Sequence, residues 1–221
     1  MSNLFEYYKI YEKDEIEQKS AEWRNLRAIR LTASNASTIA TAGKGLETLI
    51  KEKLAKYYSS EQFEEYINKS YGGADIARGN EFENMARMVY ELETGYTVKE
   101  VGFVERSKYT GASPDGLIQS TKGLVEYKNH SDKVFLELVL TDKIKPEYLS
   151  QMQYQLWITE YDWVDYCAFN PNFNPNIYIK RFYPDKEMFK KFEKGVRTGI
   201  ELIENSLKIL DKKLKKPERS N

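Results

Sequence analysis

The stretch GASPDGLIQSTKGLVEYKNH, residues 111–130, reads as two short strands around a polar turn. It carries Asp115, Glu126 and Lys128 where an ordinary hairpin keeps apolar or indifferent side chains. Side chains alternate across a strand, so Glu126 and Lys128 share one face while Val125 and Tyr127 share the other. Asp115 follows Pro114 on the preceding segment, where a hairpin brings it opposite Glu126. Two carboxylates so close repel one another, and one lysine offsets only part of that charge. A divalent cation resolves the conflict by taking oxygen ligands from both acids and a backbone carbonyl, leaving other positions to water and a substrate phosphate. Lys128 then stands where it can orient water or stabilise developing negative charge. An exposed cross-strand ion pair fits the same residues equally well, so the residues alone leave both readings open.

The short pattern is not distinctive by itself. It recurs at Glu17–Lys19 and Asp211–Lys213, both expected on solvated helices, and Pro184–Asp185 reads as a helix start. Composition narrows the chemistry further. The chain has one cysteine, Cys167, and one histidine, His130. An intrachain disulfide is impossible, and a Cys/His zinc site lacks ligands. A histidine-dependent triad would have to use His130, which has no nucleophile motif nearby. A metal site must be built from carboxylates and carbonyls, donors that suit Mg²⁺ or Mn²⁺. The 34 basic and 34 acidic residues cancel, which argues against a simple nucleic-acid-coating role but not against an enzyme with one positive groove. No apolar run approaches the roughly 20 residues of a membrane span and no secretory h-region is visible, so a soluble intracellular chain with no membrane partner is expected. AGKGLET lacks the Ser or Thr and the earlier Gly of a phosphate loop, so ATP use is not indicated.

Periodicity predicts a helix over 46–57 (Leu46, Leu49, Ile50, Leu54, Tyr57), then a polar connection ending in Tyr71-Gly72-Gly73. A second helix runs from about 75 to 93, with Phe82, Met85, Ala86, Val89 and Leu92 as its apolar stripe and Gly95 as its stop. TVKEVGFVE, YTGASPDGLI and GLVEYKNH follow as strands, and Pro146 opens a helix to Thr159. WVDYCAF and NIYIKRFY are strands around the NPNFNP turn. Phe189, Phe192, Val196, Ile200, Ile203, Leu207, Leu210 and Leu214 mark a closing helix, whose basic tail KILDKKLKKPERS reads as a solvated end. The expected architecture is α/β, a mixed sheet with helices on both faces. It forms one domain over 1–221: a helical part to about 74, a core over about 75–184 and a helix over about 185–215.

The motifs LRAIRLTASNASTIA, RGNEFENMARMVYELETGY, TGASPDGLI, GLVEYKNH and YLSQMQYQLWIT occur in that order. Over about Trp23 to Arg181 they resemble the phage lambda exonuclease family, the YqaJ-like viral recombinase nucleases, and Asp115, Glu126 and Lys128 match its PD-(D/E)xK signature. The resemblance implies a restriction-endonuclease-like fold, with a mixed central sheet flanked by helices. It also implies a Mg²⁺-dependent 5′-to-3′ exonuclease that leaves 3′ overhangs on linear double-stranded DNA, with Mn²⁺ as a substitute metal. By resemblance Asp115, Glu126 and the Tyr127 carbonyl are metal ligands, and Lys128 assists the attacking water. Glu83 orders the metal's water shell and Gln151 lies near the active site, while Arg27, Ser34 and Ser113 hold the terminal 5′-phosphate. A ring-shaped homotrimer, a single-strand annealing recombinase as partner and a cytoplasmic location (the host's, for a phage-encoded chain) are implied too. Taken singly, Glu83 reads as a surface helix glutamate, Gln151 as a polar residue beside Leu149, Met152 and Leu156, Arg27 as the partner of an acid and Ser34 as an N-cap. Asn129-His130 departs from the family's frequent Cys-Pro, and His130 reads as incidental and partly exposed. A PD-(D/E)xK structure-specific endonuclease and a non-catalytic DNA-end-binding protein are the alternatives.

Overall fold

A computed structural model describes residues 4–59 and 73–214, residues 73–81 by backbone alone. The polar connection over 60–72 and the basic residues from 215 onward lie outside the described residues. Two sheets carry the fold. The three-stranded sheet pairs β1 (Lys9–Glu12), β3 (Val101–Ser107) and β4 (Thr110–Ala112) in that order. The five-stranded sheet has the order β2 (Val98–Lys99), β5 (Gly116–Ile118), β6 (Gly123–Asn129), β7 (Trp163–Phe169), β8 (Ile177–Phe182). β6 and β7 run parallel and the remaining pairs antiparallel, so the larger sheet is mixed.

This division corrects the sequence reading, in which TVKEVGFVE and YTGASPDGLI are each one strand. Each splits between the two sheets, the second at Ser113–Asp115. Pro114 offers no N–H to a ladder. The Gln18 side chain binds the Pro114 and Val101 carbonyls at 3.0 and 2.9 Å, holding the chain where it crosses from one sheet to the other. The N-terminal part, expected as helical, also supplies β1, and Glu17–Lys19 forms a turn with Lys19 at φ +72° rather than a helix.

A parallel pair needs a crossover. Here it consists of α5 (Asp132–Thr141), which the sequence reading omits, and α6 (Pro146–Thr159). Phe135 and Leu138 of α5 with Met152 and Leu156 of α6 cover the sheet face formed by Leu124, Val164, Tyr166 and Ala168. On the opposite face α4 (Gly73–Thr94) packs Ala86 and Tyr90 against Val98, Ile118, Val125, Tyr127, Cys167 and Phe169. The expected α4 stripe is therefore partly corrected: Phe82 and Val89 pack inward, but Met85 is exposed and Leu92 is 82% exposed. Tyr90 takes the central place because its hydroxyl reaches buried Asp165 at 2.8 Å, which also receives two bonds from Arg181.

The remaining helices build a third core. α1 (Ala21–Arg27) and a 3-10 turn (Ala33–Asn35) lead into α2 (Ala36–Thr41) and α3 (Lys44–Tyr58). α7 (Lys186–Lys213) starts where Asp185 accepts from the N–H groups of Glu187 and Met188. Ile39, Leu46, Ile50, Phe192, Val196 and Ile203 pack there against Tyr154 and Trp157 of α6. A Cβ on Gly195 would stand 1.8 Å from the Ile39 carbonyl oxygen, so only glycine lets α7 lie against α2. Gly195→Ala is expected to destabilise the chain by at least the roughly 1–3 kcal/mol of an overpacked core, read as a lower midpoint in urea unfolding.

Candidate active site

Gly116 pairs with Val125 in the β5–β6 hairpin, so Asp115 falls one step beyond the last paired residue, at the level of Glu126. The ladder stops there, and the Asp115 carboxylate takes its place: Oδ2 accepts the Tyr127 N–H at 2.8 Å. In an extended strand the N–H and C=O of one residue face the same edge, so the Tyr127 carbonyl faces the Asp115 side as well. Burial, and then the charge of Glu126, push the Asp115 carboxyl well above the usual range, against the opposing pull of Lys128.

Glu126 is 1% exposed and points at α6 rather than at solvent. Lys128 binds its Oε1, Gln151 Nε2 binds the same oxygen at 2.5 Å, and Gln155 Nε2 binds Oε2 at 2.6 Å. Gln155, fully buried, is absent from the sequence reading. The signal that could have found it is its spacing, four residues after Gln151 and hence one turn along the same face. Gln153 between them faces away, tying α6 to the Tyr183 carbonyl and the Asp185 N–H. Burial works against a charged Lys128, but the Glu126 and Asp115 carboxylates outweigh it and raise its pKa. The ammonium also lies 5.2 Å from the centre of the Tyr148 ring. The exposed-ion-pair reading fails here, because Glu126 is sealed within the protein.

Glu83 of α4 pairs with Lys19 at 3.4 Å and shares with Asp115 the lining of a cavity of about 120 Å³. Among the described residues, no group of three or more His, Cys, Asp or Glu side chains could hold a metal ion. A cation would instead rely on Asp115, Glu126 and the Tyr127 carbonyl. That donor set is all oxygen and sets two carboxylates against the one Lys128 ammonium, so it fits a hard divalent ion.

Arg27, Ser34 and Ser113 meet as well. The Arg27 guanidinium donates to Ser113 Oγ at 3.2 Å and to Ser34 Oγ at 3.0 Å, and stacks 4.1 Å above the Trp23 ring, whose Nε1 donates to Ser113 Oγ at 2.8 Å. Burial pushes Arg27 down to about 10. Ser34 lies inside the 3-10 turn rather than at an N-cap, and Arg27 bonds hydroxyls rather than an acid. His130 is partly exposed, as the sequence reading has it. Its Nε2 stands 2.6 Å from the Tyr166 hydroxyl and its ring stacks on Tyr148 at 6.1 Å.

Residues 22–162, which span both groups of side chains, match the family model of the YqaJ-like viral recombinase domain. The chain belongs to that family. Among solved structures, this YqaJ-like chain is similar to an alkaline exonuclease (LHK-Exo) from Laribacter hongkongensis. The two are 28% identical with a TM-score of 0.73, over 88% of this chain and 97% of that one. The same values hold for LHK-Exo in complex with dAMP. A phage-related exonuclease from Haemophilus somnus 129PT shares the fold at 14% identity and a TM-score of 0.56, over 85% of this chain and 99% of that one. No curated protein matches the chain. The restriction-endonuclease-like α/β fold expected from the sequence is the fold of this YqaJ-like chain.

Asp115→Asn removes one charge of the buried pair and is expected to raise the melting temperature of chelator-treated protein at neutral pH, by about 2–4 °C for each kcal/mol relieved. The folded-state pKa of Asp115 is raised, so its cost is present above that value and vanishes as pH falls towards the ordinary carboxyl value of about 4. Melting scans in pH steps check that the two proteins converge there.

Proposed function

We propose that this YqaJ-like chain, a DNA exonuclease, is Mg²⁺-dependent and digests the 5′-ended strand of linear duplex DNA, leaving 3′ overhangs. One observation supports this reading above the others. Ser113, bound by Arg27, and Asp115, beside Glu126, are two residues apart on one short crossing. Two extended residues span roughly 7 Å, the scale of one nucleotide. An anchored terminal phosphate would thus set the next phosphodiester beside the two acids, and hydrolysis would release one nucleotide at a time.

Asp115, Glu126 and the Tyr127 carbonyl would hold the Mg²⁺, which supplies Lewis acidity towards water and the phosphate oxygens. Gln151 and Gln155 fix the Glu126 carboxylate so that its orientation is set before substrate arrives. The Glu126 and Asp115 carboxylates favour the ammonium form of Lys128 against burial. Lys128 would orient the attacking water or assist its deprotonation, and stabilise charge on the phosphate. With Glu126 engaged by a cation, the Lys128 ammonium would be available for that role. A ring-shaped homotrimer and a single-strand annealing recombinase partner belong to this proposal through the family resemblance, and light scattering of the purified protein tests the trimer.

The decisive measurement is digestion of a linear duplex labelled separately at each terminus, with Mg²⁺ or chelator. Release from the 5′ label, only with metal, is expected, and release from the 3′ label would overturn the polarity. A covalently closed circular duplex should stay intact, whereas nicking would favour an endonuclease. Asp115→Asn and Glu126→Gln should abolish digestion, and Lys128→Ala should lower it by about 10²–10⁴-fold, all with DNA binding retained. Gln155→Leu is expected to raise the Mg²⁺ concentration needed for half-maximal rate by about 10–100-fold, measured by titration. Arg27→Ala should slow 5′-phosphorylated ends more than 5′-hydroxyl ends.

A further inference from the structure

α1 and α3 enclose a cavity of about 290 Å³ that borders Arg27. Arg24 and Arg27 from α1 and Lys53 and Lys56 from α3 line it, and among the described residues Glu52 is the single acid that does so. Lys53 is half-buried, and its ammonium donates to the Arg27 carbonyl oxygen at 3.4 Å, which sets it at the C-terminal end of α1. Among the described residues neither Arg27 nor Lys53 pairs with a carboxylate, and the Arg27 side-chain donors go to serine hydroxyls. Burial, followed by the charges of Arg27 and Lys56, pushes Lys53 down to about 8.

Like charges gathered in a partly desolvated cavity repel one another and lose hydration, and an anion between them reverses both costs. The anion must match more than one cation. A terminal phosphate monoester carries about −1.5 to −2 charges at pH 7, whereas an internal diester carries one and a hydroxyl end carries none. We propose that Lys53 is the second cation of the terminal 5′-phosphate site, answering the extra negative charge of the monoester while Arg27, Ser34 and Ser113 hold its oxygens. Lys53 is thus a specificity-determining residue, set apart from Asp115, Glu126 and Lys128. The assignment rests on the terminal-phosphate reading of Arg27 given above.

The test compares initial digestion rates of one linear duplex carrying either 5′-phosphate or 5′-hydroxyl ends, for the unmodified protein, Lys53→Met, Lys53→Arg and Arg27→Ala. The phosphate-to-hydroxyl ratio is expected to fall about tenfold in Lys53→Met and to be largely restored in Lys53→Arg, which keeps the charge. Thermal melting of each variant confirms folding, and Lys53→Gln replaces Lys53→Met if the latter melts early. An unchanged ratio in Lys53→Met and Lys53→Gln, with a collapsed ratio in Arg27→Ala, overturns the role of Lys53 and leaves the Arg27 site standing. A ratio equally low in Lys53→Arg marks a packing effect and also overturns it. If neither Arg27→Ala nor Lys53→Met changes the ratio, the terminal-phosphate reading itself fails and takes this assignment with it.

Discussion

The hydrogen bond from the Tyr127 N–H to the Asp115 carboxylate joins the point where the chain leaves one sheet to the edge of the other. Pro114 ends the ladder, and the Asp115 side chain does what a strand neighbour would otherwise do, satisfying a backbone donor that burial leaves no other partner. That replacement has an electrostatic consequence. It brings a carboxylate beside Glu126, whose own charge is sealed under α6. The hairpin is completed by a group that does not favour being ionised there. A chain selected for stability alone would use a neutral side chain, so the strain marks the place where function and folding compete.

α6 is the element on which the two groups of functional side chains depend. Met152 and Leu156 belong to the core under the larger sheet, and Tyr154 and Trp157 to the core shared with α2, α3 and α7. Gln151 and Gln155 project from the remaining face onto Glu126. Tyr154 also donates to the Leu31 carbonyl at 3.0 Å, in the segment that leads to Ser34. The Arg27 group and the Glu126 group are therefore fixed to one rigid helix from two sides. The close approach of α7 to α2 at Gly195 completes the packing behind them.

Much of this was legible in the residues. The alternation of Val125 and Tyr127 against Glu126 and Lys128 fixes which face carries the charged groups, and the structure has that division. The amphipathic patterns of α3, α6 and α7 mark their positions because each buries a continuous stripe. Misreadings cluster where periodicity is ambiguous. The run VFLELVL of α5 is apolar on nearly every side, with Leu136, Val139 and Leu140 exposed, and so carries no clear helical stripe. In α4 a stripe ending at Leu92 is as regular as one through Tyr90, and the choice is made by Asp165, 75 residues further along.

By itself the sequence determined the element types around residues 111–130, the oxygen-only character of any metal site, and, through ordered motifs, the family. Those follow from local spacing and from which side chains exist at all. Tertiary structure alone decided that β4 and β5 belong to different sheets, that the face of α6 carrying Gln151 and Gln155 is turned onto Glu126, and that Lys53 and Arg27 border one cavity. The physical reason is that burial and charge coupling act between groups far apart in the chain. Whether a lysine is an ordinary surface ammonium or an unmatched cation depends on neighbours that no local pattern encodes.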